Sequence, residues 1–304
     1  LKERSSWHQL FGVYQIYPFV RDLILDASKM GCRVGICSEA PLNMSPPGFH
    51  RLAKMAYLKY ILPKKVKKQV ECADFIIDFS GGEKKALVEI GWHLEKIVSA
   101  GYYSPPLEGS VFVNREYERV NSIQLLCTGR HEWHRGSDLV VRALAELQRT
   151  GVHCKVTFTQ DGPLLTDMKR YALEHQLECD FLGLVPMEEL LALYQSCTLF
   201  LAPGRAEPWG LRVNDALHCG APVVVSTGMG VSEIVREYGC GAVFEQNNHV
   251  DLAKRIAELL SEPDRYKAAI KGVKEASKGI LPSEAAKRVS TEVSNLNSLW
   301  TVNE

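Results

Sequence analysis

Two carboxylates, two glycines and two arginines carry the chemical interest of this sequence. Glu207 sits in the run Pro203-Gly204-Arg205-Ala206-Glu207-Pro208-Trp209-Gly210-Leu211, and Asp215 follows on the helix that Gly210 opens. The first N–H groups of a helix have no partner within it, and its dipole adds positive potential there. Gly210 and Leu211 therefore offer a place for an anion such as a diphosphate. Gly210 lacks a Cβ and permits close backbone approach. Upstream, Gly129-Arg130 and Arg135-Gly136 bracket the loop His131-Glu132-Trp133-His134. Two fixed cations bracketing one loop can hold an anion and stabilise negative charge that develops on it. Arg130 and Arg135 would supply that clamp without a metal.

These residues stand in recognisable surroundings. An apolar strand, Pro203, a Glu-Pro-aromatic-Gly loop, a helix with a second carboxylate and then His218-Cys219-Gly220-Ala221-Pro222-Val223-Val224 together resemble the E-x7-E region of glycosyltransferase family four. Gly129-Arg130 with Arg135-Gly136 is similar to that family's G-R-x4-K-G element, with Arg in place of Lys. The resemblance implies a GT-B fold, in which two Rossmann-like doubly wound α/β domains face a cleft. It also implies retaining transfer of a sugar from a nucleotide diphosphate donor, UDP- or GDP-linked, to a saccharide or lipid-linked acceptor. By the same resemblance Glu207 orients the transferring sugar and Asp215 binds the ribose. Asp is shorter than the usual Glu by roughly 1.5 Å, so ribose contact calls for a shifted helix or a bridging water. Leu184 and Val185, in Phe181-Leu182-Gly183-Leu184-Val185-Pro186, correspond to a loop whose backbone lies against the nucleotide base. No cofactor beyond the donor substrate is implied.

Weaker signals lie at other strand ends. Gln160-Asp161-Gly162-Pro163 and Thr227-Gly228-Met229-Gly230-Val231-Ser232-Glu233 resemble family turns near the donor; the first is at least as well explained as a strand-to-helix turn, and in the second Gly228 and Gly230 read as turn formers and Glu233 as a helix start. Glu39, after a strand ending at Cys37-Ser38, could orient an acceptor hydroxyl or simply cap a turn. Asp78-Phe79-Ser80-Gly81-Gly82-Glu83 is a further strand end of the same kind. His131 and His134 have H-x-x-H spacing without a third ligand, which favours loop residues over a metal site.

The elements that must hold these residues follow from periodicity. From residue 121 onward, short β-branched or apolar runs (122–127, 154–159, 180–182, 199–202, 222–226, 242–244) alternate with amphipathic helix-length segments (136–149, 163–175, 187–197, 210–219, 231–238, 250–260). Such alternation means a parallel sheet covered on both faces, with ligands at the carboxyl ends of its strands. Earlier, a helix over 16–30 leads into a strand over 33–37, and a strand over 75–79 feeds a helix over 84–90. Residues 103–119, with Pro105-Pro106 and Gly109, read as the interdomain connection. The expected division is an acceptor-side domain over 1–118, apparently incomplete in its first strand–helix units, and a donor domain over 119–304. The last helix, 283–300, packs back through Ala285, Val289, Val293, Leu296 and Trp300.

Composition fits two compact soluble domains: 304 residues, 46% hydrophobic, 24% charged. Basic and acidic residues balance at 36 each, which excludes a wholesale electrostatic commitment to nucleic acid, and no nucleic-acid fold motif is present. The nine cysteines are scattered without C-x-x-C spacing and read as buried thiols of a reducing cytoplasm. No run approaches the roughly 20 apolar residues of a membrane-spanning helix. Residues 40–70 nevertheless contain no acid, while Arg51, Lys54, Lys59, Lys64, Lys65, Lys67 and Lys68 are interleaved with apolar and aromatic residues. That segment is either a solvated helix face or a dock for an anionic membrane surface, placing the protein on the inner face as a peripheral enzyme. Two rival functions stay open: a nucleotide-sugar epimerase or phosphorylase on the same fold, and a non-catalytic binding or scaffold protein.

Overall fold

The computed structural model describes residues 7–11, 18–39, 44–81, 84–115 and 123–301. Parts of the segments discussed above therefore lie outside the described residues: 16 and 17, Ala40 and Pro41, Gly82 and Glu83, 116–122, and the side chain of Trp300. The chain forms two compact units, Leu1–Tyr102 with Ala285–Glu304, and Tyr103–Glu284.

The first unit runs β1 (Trp7–Phe11), α1 (Pro18–Lys29), β2 (Arg33–Ser38), α2 (Phe49–Ala56), α3 (Leu62–Cys72), β3 (Phe75–Asp78), α4 (Lys84–Glu89) and β4 (Ile97–Ser99). All neighbours pair in parallel, in the order β1-β2-β3-β4. One face of the sheet is covered by a core of Ile24, Leu62, Val66, Leu87 and Trp92 around Val34, Ile36 and Ile76. The other carries Phe75, Ile77 and Val98, packed by Val289, Val293 and Leu296. A π-helical turn, Tyr57–Ile61, joins α2 to α3, and α2 buries none of its residues. The strand at β1 has no counterpart in the sequence pattern. Its five residues WHQLF lack strong alternation, and pairing with β2 makes them a strand.

The second unit runs β5 (Ile123–Cys127), α5 (Ser137–Arg149), β6 (Cys154–Phe158), α6 (Leu165–Glu174), β7 (Cys179–Phe181), α7 (Met187–Ser196), β8 (Leu199–Ala202), α8 (Leu211–His218), β9 (Val223–Ser226), α9 (Ser232–Tyr238), β10 (Gly241–Phe244), α10 (His249–Ser261) and α11 (Pro263–Gly279). α12 (Pro282–Thr301) follows, most of it belonging to the first unit. The six-stranded parallel sheet has the order β10-β9-β8-β5-β6-β7. Successive strands travel outward from β5 to β7, then return to pair on its other side at β8 and travel outward again to β10. The reversal lies between β5 and β8, and open α/β sheets bind ligands beyond the carboxyl ends of the strands at that switch point. Gly129, Arg130 and Arg135 follow β5, and Glu207 and Gly210 follow β8.

The units divide at Tyr102/Tyr103, at the start of the segment expected to connect them rather than at 118/119. The segment after Tyr103 is irregular and proline-bearing, yet its bonds go to the second unit. His218 Nε2 is 2.9 Å from the Ser104 carbonyl, Asn214 donates to Ser104 Oγ, and the Tyr103 and Trp209 rings meet edge-on. Arg115 donates to the carbonyls of Tyr194, Gln195 and Cys197, which close α7. A guanidinium on the last free carbonyls of a helix satisfies acceptors that have no partner within the helix and complements the dipole.

Arg115→Met should therefore destabilise the second unit by about 2 kcal/mol, since hydrogen bonds to charged groups are worth roughly 1.5–3 kcal/mol each and water can replace part of them. A urea titration followed by tryptophan fluorescence measures the loss as a lower midpoint at unchanged slope.

Candidate functional site

The loops after β5 and β8 close on one pocket. It is lined by Thr128, Gly129, Arg130 and Arg135 from the first loop, by Gly204, Glu207 and Gly210 from the second, and by Arg212 from α8. Glu207 is at its centre. Arg135 Nη1 donates to Glu207 Oε1 at 2.8 Å, and Arg212 Nη2 donates to Oε2 at 3.4 Å. The Glu207 side chain is 13% exposed, so its charge is held chiefly by these two guanidinium groups. Arg130 stands at the rim, 65% exposed, with Nε 3.1 Å from Glu132 Oε1.

Backbone shape explains the glycines. Gly129 has φ of +102°, and a Cβ there would fall on the Arg212 guanidinium. Gly210 has φ of +112° as the N-cap of α8, and a Cβ there would strike the Met229 methyl. Neither position accepts a side chain without strain. Glu207 is fixed through its own N–H, which donates to the Gly228 carbonyl at 3.0 Å. The Thr227–Gly230 turn thus props the carboxylate's backbone, while Glu233 falls in the first turn of α9.

A second layer joins the two loops. Arg205 donates to both oxygens of Asp138 on α5 at 2.7 Å, to the Trp133 carbonyl and to Asn247. The His134 carbonyl accepts from the N–H groups of Arg205 and Ala206. Arg205 is only 7% exposed and also lies over the Trp133 ring. Spacing alone gave no sign of Arg205 or Arg212. Each is a single arginine whose partner, Asp138 or Glu207, becomes a neighbour only on folding or reads as a ligand group by itself.

The remaining expected residues take separate places. Asp215 lies on the α8 turn beyond Gly210, outside the pocket lining, and among the described residues no donor hydrogen-bonds its carboxylate. Burial pushes its carboxyl up to about 6, with the Arg212 charge acting in the opposite direction. Leu211 is exposed at the start of α8, and Leu184 is strongly exposed after β7 with Val185 half-buried beside it. Gln160 at φ of +69° donates its N–H to the Gly183 carbonyl, tying the β6 and β7 loops together. His131 is fully buried against Phe158, while His134 pairs with Glu132; burial holds both imidazoles below their usual pKa. No group of metal-ligating side chains occurs among the described residues. Glu39 belongs to the first unit, exposed, and accepts from the Tyr102 hydroxyl at 2.6 Å.

A doubly wound sheet with a basic pocket and a carboxylate at its switch point defines a Rossmann-like domain suited to a phosphorylated ligand. The fold is that of GT-B glycosyltransferases. The structure of Anabaena HepE in complex with UDP and glucose matches with a TM-score of 0.58 at 15% identity, covering 91% of this chain and 76% of that one. Sucrose-phosphate synthase of Thermosynechococcus elongatus matches with a TM-score of 0.61 at 16% identity, covering 95% and 73%. Residues 113–276 match the family described as glycosyl transferases group 1, and the chain belongs to that family. Among curated relatives, the GDP-mannose-dependent alpha-(1-6)-phosphatidylinositol dimannoside mannosyltransferase of Mycobacterium tuberculosis is 30% identical over 51% of this chain and 40% of its own length. The corresponding monomannoside mannosyltransferase of Mycolicibacterium smegmatis is 28% identical over 60% and 49%. The chain thus spans less than half the length of these relatives.

Two substitutions test the site's construction. Asp138→Asn leaves the Arg205 charge buried without its counter-ion and should cost about 3–5 kcal/mol, measured as a fall in chemical unfolding free energy. Asp215→Asn should do the reverse. Its folded pKa is raised, so the stability it contributes is complete below the unfolded value near 4 and is lost as pH rises through about 6. Wild type and Asp215→Asn should melt together at pH 4, and the variant should be more stable by roughly 1–3 kcal/mol at pH 7.5.

Proposed function

We propose that this chain forms the donor-binding part of a retaining, metal-independent glycosyltransferase. It would take a sugar from a UDP- or GDP-linked donor and pass it to a saccharide or lipid-linked acceptor. The observation that carries this is the Arg135–Glu207 pair, set in the pocket at the sheet's switch point beside the glycine that opens α8. The names of the relatives, mannosyltransferases acting on phosphatidylinositol mannosides, and of the UDP-bound structural neighbour support the same class.

In this reading the diphosphate lies against the Gly210 and Leu211 N–H groups, with Arg135 and Arg130 on its oxygens. Glu207 faces the sugar, Asp215 takes the ribose hydroxyls, and the backbone at Leu184 and Val185 faces the base. The bond from the anomeric carbon to the diphosphate oxygen breaks as the acceptor oxygen bonds to that carbon on the same face. The acceptor proton passes to the departing phosphate oxygen, and the arginines stabilise the charge that develops there. The cations do what a divalent metal does elsewhere.

The first unit supports a lipid-linked acceptor at an anionic membrane surface. Phe49, Leu52, Met55, Tyr60 and Ile61 are exposed along α2 and the π turn, 81% and 64% for the first two. Arg51, Lys54, Lys59, Lys64 and Lys65 share the segment, which contains no acid between residues 40 and 70. Apolar side chains flanked by cations suit an interfacial helix. Among the described residues no helix is long and apolar enough to cross a membrane.

UDP or GDP should raise the melting temperature of the wild-type chain, because a ligand that binds only the folded form stabilises it. Arg135→Ala should weaken that shift, and Glu207→Gln should lower sugar transfer by about 10²- to 10³-fold. Absence of a shift with every nucleotide would move the assignment to a non-catalytic scaffold. Affinity should fall below pH 6 more steeply for wild type than for Asp215→Asn, a comparison that removes the titration of the phosphate itself. Sedimentation with liposomes should require anionic lipid and be lost when Lys54, Lys59 and Lys64 are replaced by Gln.

A further inference from the structure

Arg212 has no role in the sequence pattern, yet it lines the site beside Glu207. It is the second residue of α8, its side chain is 24% exposed, and it lines the same pocket as Arg135 and Gly129. Its hold on Glu207 is the longer of the two, 3.4 Å against 2.8 Å for Arg135. A guanidinium has five N–H donors, and this is the one hydrogen bond that Arg212 makes among the described residues. The bare Gly129 backbone makes room for the group. Its charge reaches well beyond Glu207, acting on the Asp215 carboxyl and on the His131 and His134 imidazoles.

One carboxylate therefore stands between two guanidinium forks, one on each oxygen. Its single negative charge cannot neutralise both, and the excess positive charge faces the pocket. A lone phosphoryl group fills one bidentate fork. Two forks separated by the width of a carboxylate match two phosphoryl groups joined by a bridging oxygen.

Resting on the donor-site assignment above, we propose that Arg212 is a further phosphate-binding residue of this site and confers preference for a nucleoside diphosphate over the monophosphate of the same nucleoside. Arg135 holds one phosphoryl group and Arg212 the other, with the Gly210 and Leu211 N–H groups beside them.

Calorimetric titration of wild type, Arg212→Met and Arg212→Lys with UDP, UMP, GDP and GMP tests this. With the base that wild type prefers, Arg212→Met should lose about tenfold or more in diphosphate affinity, the scale of a charge-assisted fork, and less than about threefold in monophosphate affinity. Arg212→Lys keeps the charge without the fork and should recover part of the loss. It also serves as the comparison if the Met variant melts early, and there a diphosphate-selective loss of about threefold is expected. A folded Met variant that binds the diphosphate within twofold of wild type overturns the assignment. So does an equal loss for both nucleotides, which would mark Arg212 as a support for Glu207 alone. Wild type binding none of the four overturns the donor-site assignment itself, a result distinct from either of these.

Discussion

The site depends on the ionic fork between Arg205 and Asp138. Glu207 sits in an irregular loop that, by itself, has no ladder of hydrogen bonds to fix it, and Arg135 sits in another. Arg205 reaches from the first loop to the helix that follows the second, and both its bonds to Asp138 are 2.7 Å long. Its backbone N–H binds the second loop directly, through the His134 carbonyl. A buried pair of this kind adds little net stability compared with apolar packing. It does hold two loops in one register, and the 2.8 Å contact between Arg135 and Glu207 requires that register. Loop positions can carry binding groups when a rigid scaffold positions them, and here part of the scaffold is electrostatic.

The pocket is charged and compact, and its local balance matters more than the chain's zero net charge. Arg130 is offset by Glu132 at the rim. Arg135 and Arg212 share Glu207, and burial keeps His134 neutral at ordinary pH. The set is cationic by about one charge, concentrated where an α/β sheet gathers its helix N-termini. Asp215, with a carboxyl moved up to about 6, adds a group whose charge changes in mildly acidic solution.

The second unit was legible in the sequence because its strands are short β-branched or apolar runs that alternate with helix-length amphipathic segments. The expected strand over 154–159 is Cys154–Phe158, and the helix over 231–238 is Ser232–Tyr238. Glu207, Arg130 and Arg135 were visible because their neighbours form a recognisable context, and the structure brings all three to one pocket. Features made by tertiary pairing were not visible. β1 needs β2 to be a strand, and residues 103–115 read as a connection because their partners, Cys197, Gly220 and His218, lie about a hundred positions away in sequence. Arg205 and Arg212 carry no signal in the sequence for the same reason.

The unequal exposure of the arginines separates arrival from retention. In the proposed site, Arg130, open to solvent at the rim beside Glu132, would be the first cation an incoming anion meets, and its effect on the encounter would be one that salt screens. Arg135, held inside against Glu207, would be felt only after the anion has shed water and displaced part of an existing ion pair. A rim charge of this sort governs the association rate, whereas an enclosed one governs residence time. On that reading a single loop, residues 129–136, would carry one group for each half of the kinetics.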